Sequence, residues 1–251
     1  MKGKIYIIGI GPGNKENMSL QAIDSIKKSN VIIGYKNYIN LLGDLLKNKK
    51  VISSGMREEI SRCQKSFDLA LSGKNVSLIS SGDPGIYGMA GIMLEVAGKS
   101  DKKIDIEIIP GITSASVSSA ILGSPINNDF AVISLSDLLT PWNIIEKRIK
   151  YAAKSDFVIC VYNPKSKERD WQIEKAKKII LKYRKKETPV GIVNDAKRKN
   201  QHSVITTLEN MLNHKIDMNT TIIIGNSKTF IDNNNLDLII ISLEDDNLKN
   251  M

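Results

Sequence analysis

The sequence predicts an α/β fold, arranged as two α/β lobes with a ligand cleft between them. Three observations predict it. Short apolar runs recur along the chain, segments of helical spacing fill the intervals, and glycine-rich turns follow several of the runs. Alternation of this kind reads as strand–helix units with a largely parallel sheet. The strand candidates are Ile5–Ile8, Val31–Ile33, Val76–Ile79, Ile104–Ile109, Ala131–Ser134, Phe157–Tyr162, Val190–Val193, Thr220–Ile224 and Leu236–Ser242. Several are apolar throughout, which suits strands covered on both faces. Helical spacing appears in Leu20–Lys28, Glu58–Leu71, Ile86–Ala97, Ile144–Ala153 and Glu168–Tyr183, with Ser19 placed to cap the first of them. Pro110-Gly111-Ile112-Thr113-Ser114 and the small residues after it suggest a boundary, with lobes of residues 1–115 and 116–251 joined near 115–125. A cleft between lobes is a favoured ligand site.

Composition bounds the function. Hydrophobic residues make up 41% and charged residues 25% of the 251, near a globular average, so a real core is expected. A net charge of +9 suits an anionic partner, but Lys, Ile and Asn are spread evenly, and no nucleic-acid partner is expected. The basic run Lys182–Lys186 reads as the solvated end of a helix. Two distant cysteines, Cys63 and Cys160, exclude a disulfide scaffold or a cysteine-rich metal site, and Cys160 reads as a small buried apolar residue. His202 and His214 are far apart, so no metal site is expected. No run reaches the length of a membrane span. Met1-Lys2 leads into an apolar run ending in Gly-x-Gly-Pro-Gly rather than a cleavage site, so a cytoplasmic enzyme is expected.

The densest functional signal is Ser80-Ser81-Gly82-Asp83-Pro84-Gly85-Ile86-Tyr87-Gly88. It joins a strand candidate to a helix candidate, the place where open α/β sheets bind ligands. Gly82, Gly85 and Gly88 surround one carboxylate, Asp83. Gly9-Ile10-Gly11-Pro12-Gly13 makes a second such turn, yet it fails the dinucleotide fingerprint. The sixth position is Asn14, Gly34-Tyr35 stands where an acidic residue is needed, and Pro12 has no N–H to donate. Gly98-Lys99-Ser100 lacks the earlier glycine of a phosphate loop, because Met93 occupies that position. There is no Gly-x-Ser-x-Gly elbow, and Asp195 after Val193 either lines a site or begins a turn.

Gly-x-Gly-Pro-Gly, Ser-Gly-Asp-Pro-Gly and Pro-Gly-Ile-Thr-Ser-Ala, in that order, resemble the tetrapyrrole (corrin/porphyrin) methylase family. Ile33-Gly34-Tyr35-x-x-Tyr38, Ile133–Trp142, Val161-Tyr162-Asn163-Pro164-x-Ser166 and Ile224-Gly225-Asn226-Ser227-x-Thr229 are more narrowly similar to its C17-methylating branch, which acts on precorrin-3B or cobalt-factor III. The likeness runs from residue 4 to about 230. It departs at the end, where Asp237-Leu238-Ile239-Ile240 replaces a Thr-Pro-Arg-Gly-Tyr tail. The resemblance implies a homodimeric S-adenosyl-L-methionine-dependent enzyme of cobalamin biosynthesis that methylates C17 as the ring contracts. Its substrate would be a tetrapyrrole, with or without cobalt. It implies donor contacts at Pro12, Gly82, Asp83, Ile86, Thr113, Ser114, Tyr162 and Ala196. Ring contraction needs proton transfers, for which Asp137, Ser136 and Arg57 are the candidates. Against that, Ser136-Asp137 would serve equally as the cap of a helix starting near Leu138, and Arg57 as the partner of a surface carboxylate. The alternatives are a sister methylase acting at another ring carbon, an RNA or protein methylase on the same fold, and a donor-sensing module without turnover.

Overall fold

The computed structural model describes residues 2–232 and 238–241. The chain divides into two compact units, Met1–Ser114 and Ala115–Met251. The first unit runs β1 (Lys4–Gly9), α1 (Leu20–Lys28), β2 (Val31–Tyr35), α2 (Lys36–Ile39), β3 (Lys50–Ser54), α3 (Glu59–Leu71), β4 (Val76–Ser80), α4 (Met89–Gly98) and β5 (Asp105–Ile109). Its strands lie in the order β3-β2-β4-β1-β5, all parallel. Ile5 and Ile7 of β1 pack with Phe67 and Ala70 of α3 and Met93 of α4. Ile8 joins Ala22 and Ile26 of α1 in a second cluster. Alternate residues of one strand therefore enter two cores, which is why the central strands read as unbroken apolar runs. The outer strand β3 is half polar and mostly exposed, and periodicity gave no sign of it.

Ser19 caps α1 as its type predicts: its side chain accepts from Ala22 N at 3.1 Å. The next helical segment but one begins later than its pattern suggests. Expected from Ile86, α4 starts at Met89, because Tyr87 sits at φ 52 and holds the loop out of the right-handed region.

The second unit runs α5 (Ser114–Leu122, its first residue the last of the first unit), β6 (Gly123–Ser124), β7 (Phe130–Ser134), α6 (Trp142–Lys154), β8 (Val158–Tyr162), α7 (Trp171–Ile180), β9 (Pro189–Asn194), β10 (His202–Thr207), β11 (Thr220–Ile224), β12 (Thr229–Asp232) and β13 (Leu238–Ile241). Its main sheet is ordered β10-β9-β11-β8-β7, with β12-β13-β6 forming a small one. Here the expected largely parallel sheet is corrected. In the main sheet only β7 and β8 run parallel, while β8–β11, β11–β9 and β9–β10 are antiparallel. A parallel return needs a crossover, usually a helix, and no α-helix separates β9, β10 and β11. Of the last strand candidate, residues 236, 237 and 242 lie outside the described residues.

Three local expectations also change. The helix expected over Glu168–Tyr183 spans only Trp171–Ile180. The basic run beyond it is not wholly solvated: Arg184 is buried, pairs with Asp156 and donates to Phe157 O at 2.9 Å. Burial holds the Arg184 guanidinium below its ordinary value, and Asp156 pulls the other way. No helix begins near Leu138, since α6 starts at Trp142 after Pro141 with no side-chain cap, so Ser136 and Asp137 are not its cap. Among the described residues no helix is long and apolar enough to cross a membrane.

Candidate active site

In the first unit the neighbouring parallel strands β4, β1 and β5 end at the same edge of the sheet, each in a glycine loop. The loops interlock by backbone. Gly11 and Gly82 exchange two hydrogen bonds, Gly11 N to Gly82 O at 3.2 Å and Gly82 N to Gly11 O at 2.8 Å. A Cβ on Gly111 would stand 2.2 Å from Gly82 O and 2.6 Å from Gly9 O, so only glycine permits this approach. Gly82 differs: its φ of +62 favours glycine, yet the nearest atom to an added Cβ is Thr113 Cα at 3.8 Å. Space therefore remains on the side of Gly82 that faces the third loop.

Asp83 ties the second loop to the third. Oδ1 accepts from Gly85 N at 2.8 Å and Oδ2 from Gly111 N at 3.1 Å. Around it Ile86, Tyr87 and Ile112 are exposed apolar or aromatic side chains. Pro12 is buried beside Gly11, and Thr113 and Ser114 are half-buried on the third loop. Six of the expected donor contacts, Pro12, Gly82, Asp83, Ile86, Thr113 and Ser114, thus lie on three interlocked loops. No lysine or arginine stands in the glycine turns themselves, residues 9–13, 80–88 and 110–114, and Lys15 lies past the first of them, so the turns offer backbone groups and apolar surface but no cation for a phosphate. That donor set fits a nucleoside sulfonium carrying no phosphate. Arg57 follows the outer strand β3 at the far side of the sheet from β5, exposed and at φ 66.

The second unit has its own loop-bearing edge. β7 and β8 end side by side, and β9, antiparallel to β11 as is β8, ends in the same direction. The residues just past β8 and β9, Asn163 and Asp195, both hold left-handed backbones at φ 51 and 47. Backbone strain of this kind concentrates at functional sites. Tyr162 is buried, and its hydroxyl accepts from Ala115 N at 2.7 Å in the first turn of α5. Ala196 packs against the cluster that holds Tyr162, Ala115 and Val193.

Ser136 and Asp137 follow β7. Ser134 Oγ accepts from Ser136 N at 3.2 Å and from Asn163 Nδ2 at 2.9 Å. Asp137 Oδ2 accepts from Gln172 Nε2 at 2.9 Å, and its Oδ1 faces Arg169 Nε at 4.0 Å. Arg169 and Gln172, both buried, were not singled out from the sequence. Arg169 stands in a helical-looking segment with the sequence spacing of any surface cation. The Gly225–Thr229 motif turns at the other end of this sheet, because β11 runs against β8; there Ser227 N donates to Asp156 Oδ1 at 3.1 Å.

Nucleophilic thiol chemistry has no support: burial pushes Cys63 and Cys160 up to about 12, and both are free and buried. Among the described residues no group of three or more His, Cys, Asp or Glu gathers to hold a metal ion.

Adjacent parallel strand ends carrying interlocked backbone loops are where open α/β sheets bind ligands. The profile of the Tetrapyrrole (Corrin/Porphyrin) Methylases matches residues 4–212. The Cobalt-factor III methyltransferase of Priestia megaterium is 49% identical over 234 residues, covering 92% of this chain but 43% of that protein. The Probable cobalt-factor III C(17)-methyltransferase of Salmonella typhimurium is 44% identical over 227 residues, covering 90% of this chain and 94% of that one. The chain therefore spans less than half of the first relative and nearly all of the second. Among solved structures, the methyltransferase CobJ superposes with a TM-score of 0.90 at 27% identity, over 96% of this chain and 100% of that one. A uroporphyrin-III C-methyl transferase from Thermus thermophilus, complexed with S-adenyl homocysteine, shares the fold, with a TM-score of 0.67 at 19% identity over 89% of this chain and 92% of that one. The chain belongs to the tetrapyrrole methylase family.

Proposed function

We propose that this chain methylates C17 of a corrin precursor, cobalt-factor III or precorrin-3B, with S-adenosyl-L-methionine as donor and with contraction of the macrocycle, in cobalamin biosynthesis. The observation that carries the reading is the interlocked glycine edge of β1, β4 and β5, together with close similarity to cobalt-factor III methyltransferases. The donor supplies a methyl group already activated on a sulfonium. The protein then needs to align donor and acceptor and exclude water, and it needs no nucleophile of its own. A site of backbone groups and apolar side chains suits that task.

In this reading Pro12, Gly82, Ile86, Thr113 and Ser114 hold the donor, and Tyr162 and Ala196 are proposed as further donor contacts. Asp83 acts as the clamp between the second and third loops, since both of its oxygens already accept backbone N–H groups. Ser136, Asp137 and Arg57 are proposed for the proton transfers of ring contraction. The surplus of Lys and Arg favours a polycarboxylate acceptor. The proposal includes a homodimer in the cytoplasm.

The test is incubation of the purified protein with S-adenosyl-L-methionine and cobalt-factor III, read by mass spectrometry and product NMR. The expected product carries one added methyl, at C17. Addition at another ring carbon would move the chain to a sister activity. Donor binding with no mass gain, or methyl transfer to RNA in place of the macrocycle, would overturn the proposal.

A further inference from the structure

We propose that Arg169 is a positioning residue for the reaction: its buried guanidinium fixes the two segments that leave β7 and β8, and through them the Asp137 carboxylate. The inference rests on the functional reading above, in which Ser136 and Asp137 serve the proton transfers.

Strands β7 and β8 stay in register as far as Ser134 opposite Tyr162, and Leu135 N still donates to Tyr162 O at 2.9 Å. Beyond that point the ladder ends, and the carbonyls of Leu135 and Asn163 have no strand partner in it. A buried carbonyl left without a donor is costly. Arg169 Nη1 supplies both, donating to Leu135 O at 3.0 Å and to Asn163 O at 2.7 Å. One planar cation thus replaces the missing rung between two diverging segments.

The arginine is itself held. Ser166 and Arg169 exchange backbone hydrogen bonds, Ser166 N to Arg169 O at 2.7 Å and Arg169 N to Ser166 O at 3.3 Å. This turn delivers the side chain from just ahead of α7. Burial holds the guanidinium below its ordinary value and Asp137 opposes that, so the cation is kept where a lone buried charge would be unfavourable.

On its other side the group sets Asp137. Arg169 Nε faces Asp137 Oδ1 at 4.0 Å while Gln172 Nε2 holds Oδ2 at 2.9 Å. The amide of Asn163, whose carbonyl Arg169 holds, donates to Ser134 Oγ, which also accepts from Ser136 N. Asp137 therefore faces the Arg169 guanidinium directly, and Ser136 is joined to it by three hydrogen bonds through Asn163 and Ser134. A lysine would keep the charge but lose the fork that reaches two carbonyls and a carboxylate together.

The test compares the full-length wild type with Arg169→Lys and Arg169→Ala. Hydrogen exchange by mass spectrometry reads positioning without any substrate. In Arg169→Lys, amides of residues 134–137 and 163–166 should exchange at least tenfold faster, with β8 and β11 unchanged. Methyl transfer to cobalt-factor III should show kcat reduced at least tenfold, KM for S-adenosyl-L-methionine within twofold of wild type, and partial recovery of Arg169→Ala by added methylguanidinium. Unchanged exchange in those segments overturns the proposal, as does a kcat per folded molecule equal to wild type. Failure of both variants to fold overturns it too, because the residue would then serve the fold as a whole. An inactive wild type would refute the functional reading instead, and the exchange result would still decide whether Arg169 fixes the two segments.

Discussion

Replacing Asp83 with alanine tests the glycine edge most directly. The substitution removes two hydrogen bonds to a carboxylate, one to the half-buried Gly111 N–H and one to the exposed Gly85 N–H. Bonds to charged groups are worth about 1.5–3 kcal/mol. Taking about 2 kcal/mol for the first and about 1 kcal/mol for the solvated second gives a total of about 3 kcal/mol. Donor binding must re-form the clamped loops, so that cost falls mainly on affinity, as a loss of about tenfold to a hundredfold. Asp83→Asn keeps one acceptor oxygen and should lose about tenfold. Calorimetry with S-adenosyl-L-methionine and urea unfolding of the same samples separate affinity from stability. Donor affinity for Asp83→Ala within threefold of wild type would refute the clamp. Equal losses for Asn and Ala, with wild-type stability in both, would instead make Asp83 a direct anchor for the donor's charge.

Four further outcomes follow from the geometry. Gly111→Ala places a Cβ 2.2 Å from Gly82 O and should cost several kcal/mol of stability, roughly 3 or more. Gly82→Ala has room and should cost about 1 kcal/mol through its positive φ, showing more in donor affinity than in urea unfolding. Tyr162→Phe removes the hydroxyl that accepts from Ala115 N and should lower stability by about 1–2 kcal/mol, read as a shifted urea midpoint at constant slope. The fourth concerns pH: Lys4 bonds Glu107 and Asp105, which raises the Lys4 pKa and lowers that of Glu107. The lowered carboxylate stabilises the fold above its ordinary range and loses that contribution as pH falls through its depressed value. The raised ammonium stabilises below the ordinary lysine range and loses its contribution as pH rises through the raised value. The small, salt-screened stability gap between wild type and Lys4→Met should therefore be present at neutral pH and close in acid.

Much of the first unit was legible because its cues are local. A continuous apolar run such as Val76–Ile79 marks a strand buried on both faces, and Ser19 ahead of Leu20 marks a helix start. The site was half legible: three glycine turns announced backbone contact, and failed nucleotide fingerprints removed the phosphate ligands. β3 escaped because an exposed edge strand needs no apolar pattern. Arg184 and Arg169 were unreadable as buried groups, since a cation in a helical stretch looks the same whether it meets water or a distant carbonyl.

By itself, then, the sequence determined the buried strands and the cores of the longer helices, where the backbone turns tightly, and which family's motifs the chain carries. Those properties depend on residues a few positions apart. Only the tertiary structure decided partners. The order β3-β2-β4-β1-β5 sets the turns after β4, β1 and β5 side by side, and it brings Asp83 to Gly111 across 28 residues. The absence of a crossover helix after β9 turned the second sheet largely antiparallel and sent the Gly225–Thr229 motif to the opposite edge from Asp137. Burial and strand direction arise from where the chain returns in space, and no local spacing of residue types encodes that return.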